Sequence, residues 1–124
     1  MNQIIAKITE SQLEILKVLW RERKPMSVPE IIHAFDGSSK WSPSTIKTLI
    51  RRLNGHGVLE MTYDGIRKYT SIVSEEDYRT YQAERLVEKT FEGSAGNLIA
   101  ALLKRNMLDK AEMDRLRELL DEEV

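Results

Sequence analysis

Apolar residues recur along this chain with two different periods, and the change of period divides it. From Leu13 the spacing is helical: Leu13, Leu16, Leu19 and Trp20 fall on one side, widened by Ile15 and Val18. Thr9 with Gln12 three residues on is a capping box that starts this helix. The charged run Arg21-Glu22-Arg23-Lys24, ahead of Pro25, should end it. Ser27 and Glu30 form a second capping box, with Pro29 in the first turn of a short helix whose apolar positions are Val28, Ile31, Ile32 and Phe35. Asp36-Gly37-Ser38-Ser39 closes that helix.

The third helix is the most informative. Ser42 is a capping residue and Pro43 loses nothing at the first helical position. Ile46, Leu49, Ile50 and Leu53 then make one apolar stripe, stopped by Gly55-His56-Gly57. Ser44, Thr48 and Arg51 point away from the stripe, flanked by Lys47 on one side and by Thr45 and Arg52 on the other. Short hydroxyls among cations, on a helix anchored by its back, suit a DNA major groove, where both base edges and phosphates are in reach. Trp41, just before the cap, suits core packing under this helix, with a sugar-phosphate contact as the other reading.

After Gly57 the period becomes two. Residues 58–63 and 67–73 flank Asp64-Gly65, a hairpin turn dipeptide. Three helices followed by a hairpin make a winged helix-turn-helix over residues 1–73, with Arg67 and Lys68 just past the wing tip, where they would meet DNA phosphates.

Residues 74–124 return to helical spacing. Ser74 with Glu75, Glu76 and Asp77 starts a helix that carries Ala83, Leu86, Val87, Thr90 and Phe91 on one face, with Tyr78 and Tyr81 on another. Ser94 starts the next, in which Leu98, Ile99, Ala100, Ala101, Leu102 and Leu103 are apolar all round. A last helix begins at Asp109, with Glu112 at its third position, and carries Met113, Leu116, Leu119 and Leu120. Three short helices cannot enclose a central one that is apolar on every side, and a symmetric dimer resolves this. Leu86, Phe91, Leu98, Ile99, Leu102, Leu103, Leu116, Leu119 and Leu120 are the expected dimerisation residues. The competing reading packs these helices back on the winged helix as one monomeric core. The fold expected is thus mainly α with a small β-hairpin wing: an N-terminal winged helix and a C-terminal helical dimerisation domain.

Charge sharpens this division. The 124 residues have net charge −1, yet residues 1–73 hold 11 Lys/Arg against 7 Asp/Glu (+4) and residues 74–124 hold 8 against 13 (−5). A polyanion-facing half and an acidic half fit a DNA-binding domain joined to an assembly domain. The absence of cysteine excludes disulfides, thiolate metal sites and a thiol nucleophile. His33 and His56 have no ligand partners at metal spacing, so neither a metal, a cofactor nor catalysis is expected. No apolar run approaches a membrane span and the first residues lack a signal-peptide pattern, so a cytoplasmic protein without membrane insertion is expected.

The segment Trp41 to Leu53, with its Trp-Ser-Pro opening, its Thr-Ile-Lys-Thr-Leu middle and its Arg-Leu ending, resembles the recognition helix of the BlaI/MecI family of bacterial repressors, named for penicillinase and methicillin-resistance regulators. Leu16 to Trp20, Tyr69 and Glu118-Leu119-Leu120 carry the similarity across nearly the whole chain. The resemblance implies a homodimer on a palindromic double-stranded DNA operator, repressing transcription. Ser42, Ser44, Thr45, Lys47, Thr48 and Arg51 are expected in the groove or on its rim, with Arg52, Arg67 and Lys68 on phosphates. In the β-lactam branch of the family, a membrane sensor with a protease domain leads to cleavage of an Asn-Phe bond in the dimerisation region. Ala101-Leu102 occupy that place here, so the location matches and the residues do not. A copper-responsive branch binds metal through C-terminal cysteine pairs, which this chain lacks. Two other readings compete: a winged-helix module for protein–protein contact, and a repressor released by a small ligand.

Overall fold

The structure, a computed structural model, describes residues 1–36 and 41–123. The Gly37–Ser39 turn expected after the second helix lies outside the described residues. The elements run α1 (Asn2–Ile5), α2 (Glu10–Glu22), α3 (Val28–Ala34), α4 (Pro43–Gly55), β1 (Leu59–Tyr63), β2 (Arg67–Ser71), α5 (Glu75–Thr90), α6 (Ala95–Lys104) and α7 (Lys110–Glu123). Helices with a two-strand hairpin after the first four are the expected class.

Both capping boxes form. The Thr9 hydroxyl accepts from the Gln12 amide while the Gln12 side chain accepts from Thr9, each at 3.2 Å. Ser27 and Glu30 exchange the same pair of bonds at 3.0 and 3.3 Å. Each box satisfies two amide donors that a helix start would otherwise leave unpaired. The apolar stripes of α2 and α4 then face each other: Ile15, Leu16, Val18 and Leu19 from one, Ile46, Leu49, Ile50 and Leu53 from the other, all buried. One element was not read from the sequence. α1 is a single turn that buries Ile5, with Ile8 just beyond it, in the same core. Its apolar positions are too few to show a period.

Two left-handed glycines shape the wing. Gly57, at φ 78°, turns the chain out of α4, and the Val58 amide then donates to the Leu53 carbonyl at 3.0 Å. Gly65, at φ 77°, sits in a three-residue loop, Asp64 to Ile66, because Tyr63 pairs directly with Arg67. The strands are correspondingly shorter than 58–63 and 67–73. Met26 and Tyr69 exchange backbone bonds of 3.0 and 2.8 Å, so the outer side of β2 is partly covered by the α2–α3 connection.

The chain divides into two compact units, Met1–Tyr81 and Gln82–Val124. The first extends past residue 73 because the first turns of α5 pack on the winged-helix core through Tyr78 and Tyr81. Trp20 stacks at 5.8 Å from Tyr78, and its indole N–H donates to the Val73 carbonyl at 2.9 Å. In the second unit, Ser94 caps α6 and Asp109 with Glu112 forms a reciprocal cap on α7. No residue of α5 or α6 is buried. No described helix is long and apolar enough to cross a membrane.

Candidate nucleic-acid interface

α4 is held from behind. Ile46, Leu49, Ile50 and Leu53 are each at most 7% exposed, so the helix cannot rotate without emptying the core, and its remaining faces are presented in a fixed orientation. Trp41, one residue before the Ser42 cap, is half-buried with its ring 5.8 Å from Phe35. It ties the start of α4 to the end of α3, as expected of a core-packing residue.

On the outward face, Ser42, Ser44, Thr45, Lys47, Arg51 and Arg52 are exposed and Thr48 is half-buried. The hydroxyls are already engaged locally. Ser42 Oγ accepts from the Thr45 amide at 3.2 Å and lies 3.1 Å from Thr45 Oγ1. Thr48 Oγ1 donates to the Ser44 carbonyl at 3.1 Å. Each hydroxyl keeps capacity for a further hydrogen bond, and Ser44 makes no side-chain bond among the described residues. The cations differ. Among the described residues neither Lys47, Arg51, Arg52 nor Arg67 pairs with an acid. Long cationic side chains with no internal partner, around a helix start rich in hydroxyls, can reach phosphates and base-edge acceptors together.

Lys68 stands apart from Arg67. The pairing of β1 with β2 puts the two on opposite faces of the wing. Lys68 lies close enough to Glu30 to favour its ionised form. That carboxyl is held below the usual carboxylate range, chiefly by the Ser27 backbone N–H and the Ser27 hydroxyl; desolvation opposes them, and Lys24 and Lys68 add smaller contributions. Lys68 thus acts on an acid of its own domain, although neither it nor Arg67 forms an ion pair among the described residues.

Reading for charge alone passes over Tyr63, which is 72% exposed at the tip of β1. The available signal was strand parity: Tyr63 falls in step with Leu59 and Met61. No group of acids and histidines capable of holding a metal occurs among the described residues. His33 Nδ1 lies 2.9 Å from Asp36 Oδ2 on the surface.

The α2–α3–α4 core with its hairpin defines a winged helix-turn-helix protein with an additional helical C-terminal unit. The chain belongs to the penicillinase repressor family, whose model matches residues 8–122. It is 28% identical over 119 residues to the penicillinase repressor of Bacillus licheniformis, covering 95% of this chain and 92% of that one. It is also 28% identical over 116 residues to the methicillin resistance regulatory protein MecI of Staphylococcus aureus, covering 93% and 94%. Solved structures of BlaI match more than half of this chain. The DNA-binding domain of the repressor BlaI superposes with a TM-score of 0.52 at 35% identity, over 60% of this chain and 90% of that one. The monomeric form of Bacillus licheniformis BlaI in complex with the blaP half-operator gives a TM-score of 0.51 at 34% identity, over 58% and 88%. The family is one of repressors rather than enzymes.

Proposed function

We propose that the chain is a cytoplasmic transcriptional repressor that binds a palindromic operator as a homodimer. α4 enters the major groove with Ser42, Ser44, Thr45, Lys47, Thr48 and Arg51 at or near base edges. Arg52 and the wing residues Arg67 and Lys68 hold phosphates. The observation that carries this reading is the set of cations without ion pairs on the outer face of α4, in a chain 34% identical to a BlaI that is seen on a half-operator.

A gel shift with the chain's own promoter region against random duplex tests it. Binding to the promoter is expected to be tighter. It should weaken steeply with salt, by a log–log slope of about −0.9 for each phosphate neutralised. Equal binding to both duplexes at every salt concentration would leave a non-specific cation patch. Failure to bind either would favour a protein-contact module.

Dimerisation rests on a second observation. Leu86, Ile99, Leu103, Leu119 and Leu120 are exposed in the second unit, while Phe91, Leu98, Leu102 and Leu116 are half-buried. A second copy covering them would contribute roughly 1.5–3 kcal/mol per fully buried leucine. It would also set two copies of α4 about 34–36 Å apart, one turn of DNA. A monomeric mass in light scattering would contradict this. Release by a membrane sensor-protease system, with cleavage at Ala101-Leu102, completes the proposal. It rests on the family resemblance and on the position of that half-buried pair within α6. A repressor that stays full-length in induced cells would remove that step and leave the DNA binding untouched.

A further inference from the structure

The hairpin register is Leu59–Ser71, Met61–Tyr69 and Tyr63–Arg67 along one face, with Glu60, Thr62, Lys68 and Thr70 on the other. At the base of the wing the first face belongs to the core: Leu59 is buried and Tyr69 packs against it. Towards the tip the same face emerges into solvent. Met61 is 44% exposed and Tyr63 is 72%, and Ile66 in the loop is 51%. Single exposed apolar residues are ordinary, but Met61 and Tyr63 on one face, with Ile66 in the adjoining loop, are more than a polar strand would leave.

We propose that Tyr63 is a DNA contact, its ring lying on the deoxyribose edge of the groove that flanks the half-site. Its phenol O–H donates to one phosphate, and Arg67, directly across the strand pair, binds a neighbouring one. This deepens the operator-binding reading and rests on it. Three features choose nucleic acid as the occupant. Tyr63 shares its face with Arg67, which has no ion-pair partner among the described residues, so the apolar patch is also cationic. A sugar-phosphate strand offers the same mixture in reverse, apolar deoxyribose edges between anions. At the base of the hairpin this face is continuous with the core of the domain, because Leu59 and Tyr69 pack there. Lys68 is on the opposite face, near Glu30, and contributes nothing to this patch. Asp64 in the loop would repel phosphates, which assigns the contact to the face of the wing and not to its tip.

The charge difference between the two residues makes the idea testable. Full-length wild type, Tyr63→Ala, Tyr63→Phe and Arg67→Ala would be titrated at several salt concentrations. The probes are two duplexes of the chain's own promoter, one long and one trimmed to the edges of the half-sites. On the long duplex Tyr63→Ala should bind about tenfold more weakly with an unchanged log–log salt slope, because no charge is lost. Tyr63→Phe should lose about threefold. Arg67→Ala should lower the slope by about 1. On the trimmed duplex Tyr63→Ala and wild type should bind alike, which also shows that the variant folds.

Equal binding of Tyr63→Ala and wild type to the long duplex overturns the inference alone. So does a loss of the same size on both duplexes. A Tyr63→Ala chain that binds as wild type but loses mass in light scattering would give the patch to a second copy. If wild type shifts neither duplex, the operator-binding reading falls and this inference with it.

Discussion

The two halves of this chain use similar residues to opposite effect. Between Ile5 and Val73 the leucines, isoleucines and valines of α1, α2, α4 and the hairpin close over one another, and every buried hydrophobic side chain among the described residues falls there. Beyond Tyr81 the apolar residues are as regularly spaced, but none of those on α5 or α6 is buried. The difference lies in geometry more than composition. Helices of 13 residues crossing one another, with a hairpin against them, can enclose a stripe. A ten-residue α6 that is apolar on all sides needs more partners than two neighbouring helices can be. A unit that completes its core alone can present a rigid face to a ligand, and one that does not is suited to meeting a copy of itself.

The contrast breaks first at the second unit. Leu103→Asp places a charge on an exposed leucine of α6, so folding of Met1–Tyr81 should be unaffected while the dimer is lost. Operator affinity should then fall on the order of 10²- to 10⁴-fold, as two linked half-site contacts become independent. A variant that remains dimeric in light scattering would show that α6 is not the seam.

Leu16→Ala does the reverse. Leu16 is fully buried in the first unit, and its truncation should cost about 2–5 kcal/mol in denaturant unfolding. A loss below about 1 kcal/mol would mean that the α2–α4 contact relaxes far more than close packing allows.

Arg51→Ala tests whether the rigid face reads sequence. It should remove about 1–3 kcal/mol of operator binding while random DNA is bound nearly as before. Equal losses on both would make Arg51 a phosphate contact.

The smallest effect concerns pH. Because the Glu30 carboxyl is held below its usual range by Ser27 and the two lysines, its contribution to stability is complete above the ordinary carboxylate pKa. It disappears as the pH falls through the lowered value. Glu30→Gln should flatten the acid end of the stability curve only slightly, since the group is exposed, and an unchanged curve would show the capping bond alone to matter.

Much of this was readable from one-dimensional pattern because the controlling interactions are local. Thr9 with Gln12, Ser27 with Glu30, and Ser42 ahead of Pro43 each act over three residues or fewer, and each forms where its spacing predicts. The stripe in α4 likewise needed only a period of 3.6 to separate the side that is buried from the side that carries Ser44, Lys47, Arg51 and Arg52. The wing was legible as a hairpin through Asp64-Gly65, but its three-residue loop was not, since loop length depends on which residues pair across it.

What the sequence determined by itself, then, is the order and kind of the elements and the polar face of α4, because helix caps, turns and periodicity are short-range. Only the tertiary structure decided which cation lies near a distant acid and where the closed core stops. Lys68 and Glu30 are distant in sequence and close in space, while Arg67, one residue away, is turned to the other face. Tyr78 and Tyr81 carry the first unit into α5 because Trp20 and the core are there to receive them. Such outcomes depend on contacts between elements, and those exist only once the chain has folded around one core and left the other half to be covered.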